Sequence, residues 1–203
     1  MAKRYSSFSV LNGLAFRLRW IAKIKNRSLM NLQKLVKIPL IVIPSIIFLN
    51  GCEAYMWRQN VVQLHEVEKR GGQLQLNTDH NLMGTDADLN GVRDDIDLYI
   101  AQNFKQIAQQ RAVTQYAVQL QKSLLVDKQN LAQVKNISFE KSRAIGCIYE
   151  RFPVDELPRA MTVVKDISAI TMNTKIRFKA HLAFSHALDG TVMTLVDNNL
   201  CSK

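Results

Sequence analysis

The sequence predicts an all-α domain of about four helices that follow an acidic loop and end in an extended C-terminal tail. Three observations carry that expectation. Apolar residues recur at three- or four-residue spacing from Ile96 onward. No Pro or Gly interrupts Val92 to Ile145. Gln, a fair helix former, is abundant in the same stretch.

The 203 residues carry a formal net charge of +10, and that charge is uneven. Residues 1–51 hold nine of the 27 Lys and Arg residues and none of the 17 Asp and Glu residues, so they contribute +9 and the rest +1. The excess sits in a leader, which argues against a basic fold built to bind nucleic acid. Residues 30–52 read MNLQKLVKIPLIVIPSIIFLNGC. Lys34 and Lys37 precede an uncharged apolar run from Ile38 to Leu49, and small or polar residues follow it. That is the layout of a secretory signal. The run is short of the roughly 20 residues a spanning helix needs, and Pro39 and Pro44 weaken it as one.

Leu49-Asn50-Gly51-Cys52 resembles the bacterial lipobox. The resemblance places Leu49 at −3, Gly51 at −1 and the acylated cysteine, Cys52, at +1; Asn50 at −2 is less usual there. It implies cleavage before Cys52 and a membrane anchor. Each buried methylene of an acyl chain contributes about 0.8 kcal/mol, so more than one chain anchors stably. Residues 1–29 then read as an over-extended gene start ahead of Met30, with a long n-region as the alternative. The mature chain keeps 152 of the 203 residues, enough for one modest core. Under the enterobacterial sorting rule, Asp after the cysteine retains a lipoprotein at the inner membrane. Here that residue is Glu53, an ambiguous case, and the outer membrane is favoured over the inner.

Residues 52–85 are expected to be a tether. A short amphipathic helix within Glu53 to Lys69 fits Val61, Val62, Leu64 and Val67, and Gly71-Gly72 would end it. Residues 77–84 are polar and turn-rich.

Thr85 to Asp97 reads TDADLNGVRDDID and carries the strongest site pattern. With Asp86 as position 1, Asp88 is 3, Asn90 is 5, Gly91 is 6, Val92 is 7, Asp94 is 9 and Asp97 is 12. Alternate residues of a tight loop can point oxygens inward, as a hard cation with six to eight oxygen ligands requires. Gly91 permits the turn through which Val92 offers its carbonyl; Asp94 ligates directly or through water, and Asp97 closes the set. The pattern resembles the calcium loops of the EF-hand, dockerin and thrombospondin type 3 group, over these dozen residues only. It implies a structural Ca²⁺ held by Asp86, Asp88, Asn90, Val92, Asp94 and Asp97. Position 12 is Asp rather than a bidentate Glu, Arg93 stands at position 8 where an EF-hand has an apolar residue, and no clear entering helix precedes the loop. Those departures argue for a single structural loop with a dissociation constant of about 10⁻⁴–10⁻³ M. Without a metal, Asp94, Asp95 and Asp97 would still suit a helix N-terminus. The run NGVRDDIDLYI together with the lipobox is also similar to a set of uncharacterised gammaproteobacterial lipoproteins, a group that brings no activity with it.

Residues 94–126 are expected to form the first helix, through Ile96, Ile100, Phe104, Ile107, Tyr116, Leu120 and Leu124. Residues 128–149 give the second, with Leu131, Val134, Ile145 and Ile148 inward and Lys141 outward. Pro158 suits the first turn of a third, over 158–171, with Met161, Val164 and Ile167 inward. Asn173 or Thr174 can cap a fourth, with Ile176, Ala180, Ala183, Phe184 and Ala187 inward, and Asp189-Gly190 ends it. Thr191 to Val196 is β-branched and extended in expectation.

With Cys52 assigned to lipid, Cys147 and Cys201 form an even pair in an oxidising compartment, where disulfides persist. The alternative is a buried thiol at Cys147 and a free Cys201. His65, His80, His181 and His186 do not form a metal site by spacing. Ser142 and Ser185 have no readable base partner; Glu140, Glu150, Asp155 and Glu156 could supply a carboxylate pair, but a charged solvent face explains them as well, and no catalytic residue is assigned. The sequence therefore points to a lipid-anchored envelope protein with a structural calcium loop, a binding or structural module that meets an envelope protein or peptidoglycan. The rival is a metal-dependent envelope hydrolase using the acidic cluster; a catalytic metal needs open coordination, and this loop supplies a full ligand set by itself.

Overall fold

The computed structural model describes residues 42–71, 74–192 and 198–202, with the side chains of residues 42–51 left aside. The chain divides into two units, Met1–Ile47 and Phe48–Lys203, and the second carries the architecture below. The expectations for residues 1–41, and for the tail over 193–197, lie outside the described residues.

The domain is all-helical, with six α-helices and no strand among the described residues. They are α1 (Val42–Gly71), α2 (Asp94–Asn103), α3 (Ile107–Leu125), α4 (Leu131–Arg151), α5 (Leu157–Thr171) and α6 (Lys175–His186). Five follow the acidic loop rather than about four. The helix expected over 94–126 is two helices, α2 and α3. Phe104 and Gln106 are extended at the break. Phe104 is fully buried there, edge-on to Tyr99 and Phe152. Side-chain amides take up carbonyls at the break: Gln110 Nε2 donates to Phe104 O at 2.7 Å and Asn103 Nδ2 to Tyr99 O at 2.9 Å. Burying a Phe contributes about 1.5–3 kcal/mol. The helix propensity lost over a few ordinary residues is at most about 0.7 kcal/mol each. Packing therefore breaks the helix with no Pro or Gly present, and Ile107, expected inward, is exposed at the new start.

Helix α3 is the centre of the domain and packs on α2, α4, α5 and α6. Its Ala112, Val113, Tyr116, Ala117, Leu120 and Leu124 are buried at helical spacing. Helix α4 starts on an Asn130 cap that accepts from Gln133 N at 3.2 Å. Helix α5 follows a 3-10 turn, Val154–Glu156, with Pro158 in its first turn. Thr174 caps α6, accepting from Arg177 N at 3.4 Å.

Further inward assignments are corrected on the helices. Leu131, Met161, Ile176 and Ala183 are exposed. On α6 the buried face holds Arg177, Phe178 and Phe184, so it is rotated from the one apolarity alone predicts. The reason is the burial of a cation, which apolar periodicity cannot register. Lys141, expected outward, is part-buried, with Nζ 5.2 Å from the centre of the Phe184 ring.

Residues 53–71, expected as a tether, instead form the docked part of α1. Glu53 pairs with Lys179 at 3.7 Å, and Trp57 packs edge-on against Phe178 with ring centres 5.3 Å apart. Asn60 Nδ2 donates to Met172 O at 3.0 Å, and Val67 lies in the main core. Further along, Gln63 and Arg70 both donate to Asp166 of α5 at 2.7 Å. The helix expected within Glu53 to Lys69 forms and ends at Gly71, with Val67 buried and Leu64 packed against the core, while Val61 and Val62 are exposed.

Candidate functional site

The acidic loop folds by side chains accepting from its own backbone. Asp86 accepts from Asn90 N at 3.1 Å and Gly91 N at 3.0 Å. Asp94 Oδ1 accepts from Ala87 N at 2.9 Å, and Asn90 Oδ1 from Val92 N at 2.8 Å. Gly91 takes φ +87° and Leu89 φ +59°, both left-handed. The turn thus folds back on itself and brings carboxylate oxygens of Asp86, Asp88 and Asp94 within 4.8 Å of one another. Asn90 Nδ2 bridges Asp88 at 3.0 Å and Asp97 at 2.9 Å, which joins Asp97 to the group. Burial raises the Asp97 carboxyl above its ordinary value; the Asn90 hydrogen bond opposes this, and the charges of Asp88, Asp86 and Asp94 add to it. Val92 is buried in the core and fixes the loop's base. The carboxylates of Asp86, Asp88, Asp94 and Asp97 offer anionic oxygens, which suit a hard cation such as Ca²⁺, whereas Asn90 turns its Nδ2 to them and its Oδ1 to Val92 N.

The loop is entered without a helix, since residues 74–93 are irregular where described. Two buried arginines hold it. Arg93 is fully buried and grips Asp95 with Nε at 2.8 Å and Nη2 at 2.7 Å. The same guanidinium donates to Ile170 O at 3.1 Å and Thr171 O at 3.3 Å, at the C-terminus of α5. Those are helix-end carbonyls that lack partners within the helix, and a cation suits them. Asp95 also accepts from Asn77 N at 2.8 Å, and Asp94 N donates to Thr85 O at 2.9 Å. Arg177 donates to Asn77 O, to Asn77 Oδ1 at 2.8 Å and to Asn173 Oδ1 at 2.7 Å. Burial, and after it the charge of Arg93, lowers Arg177 to about 10, which leaves it cationic at neutral pH. The acidic loop is thus bolted to the corner between α5 and α6. In the sequence only Arg93 gave a signal, as a charge where the calcium-loop pattern has an apolar residue.

Behind the loop lies a small cavity of about 120 Å³, lined by Asp86, Gly91, Val92, Arg93 and Gln121 among others. Gln121 Nε2 donates to Leu82 O at 3.1 Å and Met83 O at 2.9 Å, pinning the approach to the loop. A wider surface groove of about 970 Å³ runs along α3 past Arg111, Gln115, Arg151 and the disulfide, and no loop residue lines it.

Cys147 and Cys201 are bridged, with Cα atoms 4.9 Å apart. Gln115 holds the bridged segment through both ends of its amide, donating to Leu200 O at 3.0 Å and accepting from Ser202 N at 2.9 Å. Leu200 packs on Gly146, where an added Cβ would meet it at 3.1 Å. Cys52 is exposed on α1. His65 and His186 are surface residues beside Glu68 and Asp189, whereas His181 is part-buried and its Nδ1 has no partner among the described residues. Burial, then the charge of Lys141, pulls His181 down to about 4. Glu140 and Glu156 pair with Arg143 and Arg159, and Ser142 Oγ donates to Ser138 O of its own helix.

Among the described residues no helix is long and apolar enough to cross a membrane. No protein-family model, curated protein or solved structure matches this chain.

Proposed function

We propose that this chain is a lipid-anchored bacterial envelope protein, acylated on Cys52, whose 86–97 loop takes Ca²⁺ as a structural ion. It serves as a binding or structural module toward an envelope protein or peptidoglycan, at the outer membrane in preference to the inner. The observation that supports the metal reading best is the convergence of Asp86, Asp88 and Asp94 within 4.8 Å. Asp86, Asp88, Asn90, Val92, Asp94 and Asp97 would hold the ion. It would cancel the mutual repulsion of four carboxylates and order the start of α2. The lipobox residues support the address.

The rival is a metal-dependent envelope hydrolase. A catalytic metal needs open coordination and a nearby acid, base or nucleophile, whereas carboxylates of the loop itself would surround the ion. That favours a structural ion over a catalytic one. The test is calcium titration calorimetry on the mature protein in detergent, with Mg²⁺ as control, beside mass spectrometry of its N-terminus. One-site Ca²⁺ binding that disappears in Asp86→Ala/Asp88→Ala is the expected result, with two or three acyl chains on Cys52. Absence of binding at millimolar Ca²⁺ would make the loop a helix cap only.

A further inference from the structure

Cys52 has no slack behind it. The next residue, Glu53, already pairs with Lys179 of α6, and Trp57 is packed on Phe178 one turn later. The contacts of Asn60 with Met172, Trp57 with Phe178 and Glu53 with Lys179 run α1 antiparallel to α6. An acyl anchor on Cys52 therefore attaches to the rigid domain itself.

The other side of α1 is exposed at this end among the described residues. Cys52, Tyr55, Met56 and Gln59 stand at i, i+3, i+4 and i+7, which is one helical face, and all four are exposed. Tyr55 is 63% exposed and Met56 36%. At 1.5 Å of rise per residue, Tyr55 lies about 4.5 Å and Met56 about 6 Å along the axis from Cys52. The polar layer on each side of a bilayer's hydrocarbon core is roughly 5–8 Å thick. Even a helix standing upright on the membrane keeps both side chains within that layer, and a tilt toward this face brings them deeper. An amphipathic Tyr ring favours this depth, and the flexible thioether of Met56 adds apolar area beside it. Lys179 offsets Glu53 at this end, and the exposed Arg58, one turn from Tyr55, suits an anionic headgroup.

From this geometry we propose that Tyr55 and Met56 form a lipid-contact patch that continues the acyl anchor, so that the domain lies against the bilayer in one orientation instead of swinging on a tether. The inference rests on the acylation of Cys52 proposed above. Its occupant is the headgroup and upper acyl layer of phospholipid; a protein partner on this face is an outcome the test separates.

The lipidated mature protein is reconstituted into phosphatidylethanolamine/phosphatidylglycerol vesicles containing bromine-labelled lipid. Tryptophan quenching is read in Tyr55→Trp and Val154→Trp, each in a Trp57→Phe background. Val154 is 84% exposed and precedes α5. It lies at the end of α5 away from Cys52, because α5 meets α1 first at Asp166 and last beside Asn60. Quenching severalfold stronger at position 55 than at 154 supports the patch. Equal quenching at the two positions, in protein that floats with vesicles and carries acylated Cys52, overturns the patch and leaves the anchor standing; the face then belongs to a protein partner. Protein without acyl chains that fails to float overturns both. If Trp57→Phe unfolds the domain, Trp57 is kept and quenching is read as the difference from the parent protein, with the same two outcomes.

Discussion

Gly84 and Arg93 occupy one space: a Cβ on Gly84 would lie 2.2 Å from Arg93 Cδ and 2.8 Å from Cγ. The main chain at Gly84 therefore covers the stem of a fully buried guanidinium, and its φ of +72° adds a second demand for glycine. The contact closes the entrance of the acidic loop onto its exit.

Gly84→Ala is expected to cost about 3 kcal/mol, from the left-handed backbone and the displacement of Arg93 together. For a domain of this size that lowers Tm by roughly 6–12 °C. Thermal unfolding by circular dichroism reads it. A Tm within 2 °C of the parent would show that the Arg93 stem moves aside freely.

Arg93→Met is expected to cost more, about 3–5 kcal/mol, because it leaves the Asp95 carboxylate buried without its cation. The same change deprives Ile170 O and Thr171 O of donors. Adding Asp95→Asn should recover part of the loss, since the uncompensated charge is then gone. A double-mutant cycle in urea measures the coupling. Strictly additive losses would deny that the two residues act as a pair.

Calcium should stabilise the protein by mass action if the loop binds it. With a dissociation constant of about 10⁻⁴–10⁻³ M, 10 mM Ca²⁺ contributes roughly 1.4–2.7 kcal/mol. The expected rise in Tm is about 3–10 °C, absent in Asp86→Ala/Asp88→Ala and much smaller with Mg²⁺. An equal rise with Mg²⁺ would mean screening of the acidic cluster by divalent charge.

His181 makes stability depend on pH. Its folded value of about 4 lies below its ordinary value near 6.5 because burial and Lys141 disfavour the cation. Between those values the unfolded chain binds more protons than the folded one, so stability rises with pH across that window. The contribution is complete above about pH 6.5 and falls away toward pH 4, with an upper bound of roughly 3 kcal/mol. His181→Gln should flatten the profile of unfolding free energy over this range. A slope unchanged in the variant would assign the acid sensitivity to other groups.

The Cys147–Cys201 bridge closes a separation of 54 residues, which in the chain-entropy model contributes about 4 kcal/mol. Cys201→Ser should lower Tm by roughly 8–16 °C and release Leu200 from Gly146. Limited proteolysis should then cut the C-terminal segment first. An unchanged Tm would mean that Gln115 and the packing of Leu200 hold it unaided.

The helical class, the ends of α5, a cap at Asn173 or Thr174, the favoured Cys147–Cys201 pairing and the position of the acidic turn were legible in the sequence. Each of these is local or a matter of parity: spacing at 3.6 residues per turn, a proline in a first turn, a short side chain before a helix, two cysteines left to pair. The carboxylate cluster was legible for the same reason, because alternate residues of a tight turn converge through local geometry. Features that depend on residues far apart in the chain came from folding alone. Phe104 breaks a helix because Phe152 and Tyr99 wait for its ring. Residues 53–71 are docked rather than loose because Asp166, Met172, Phe178 and Lys179 meet them. Arg93 and Arg177 are buried because helix-end carbonyls and Asn77 offer partners there, and the inward face of α6 turns to follow Arg177. A polar side chain's burial depends on partners brought together by folding, and hydrophobic periodicity carries no record of them.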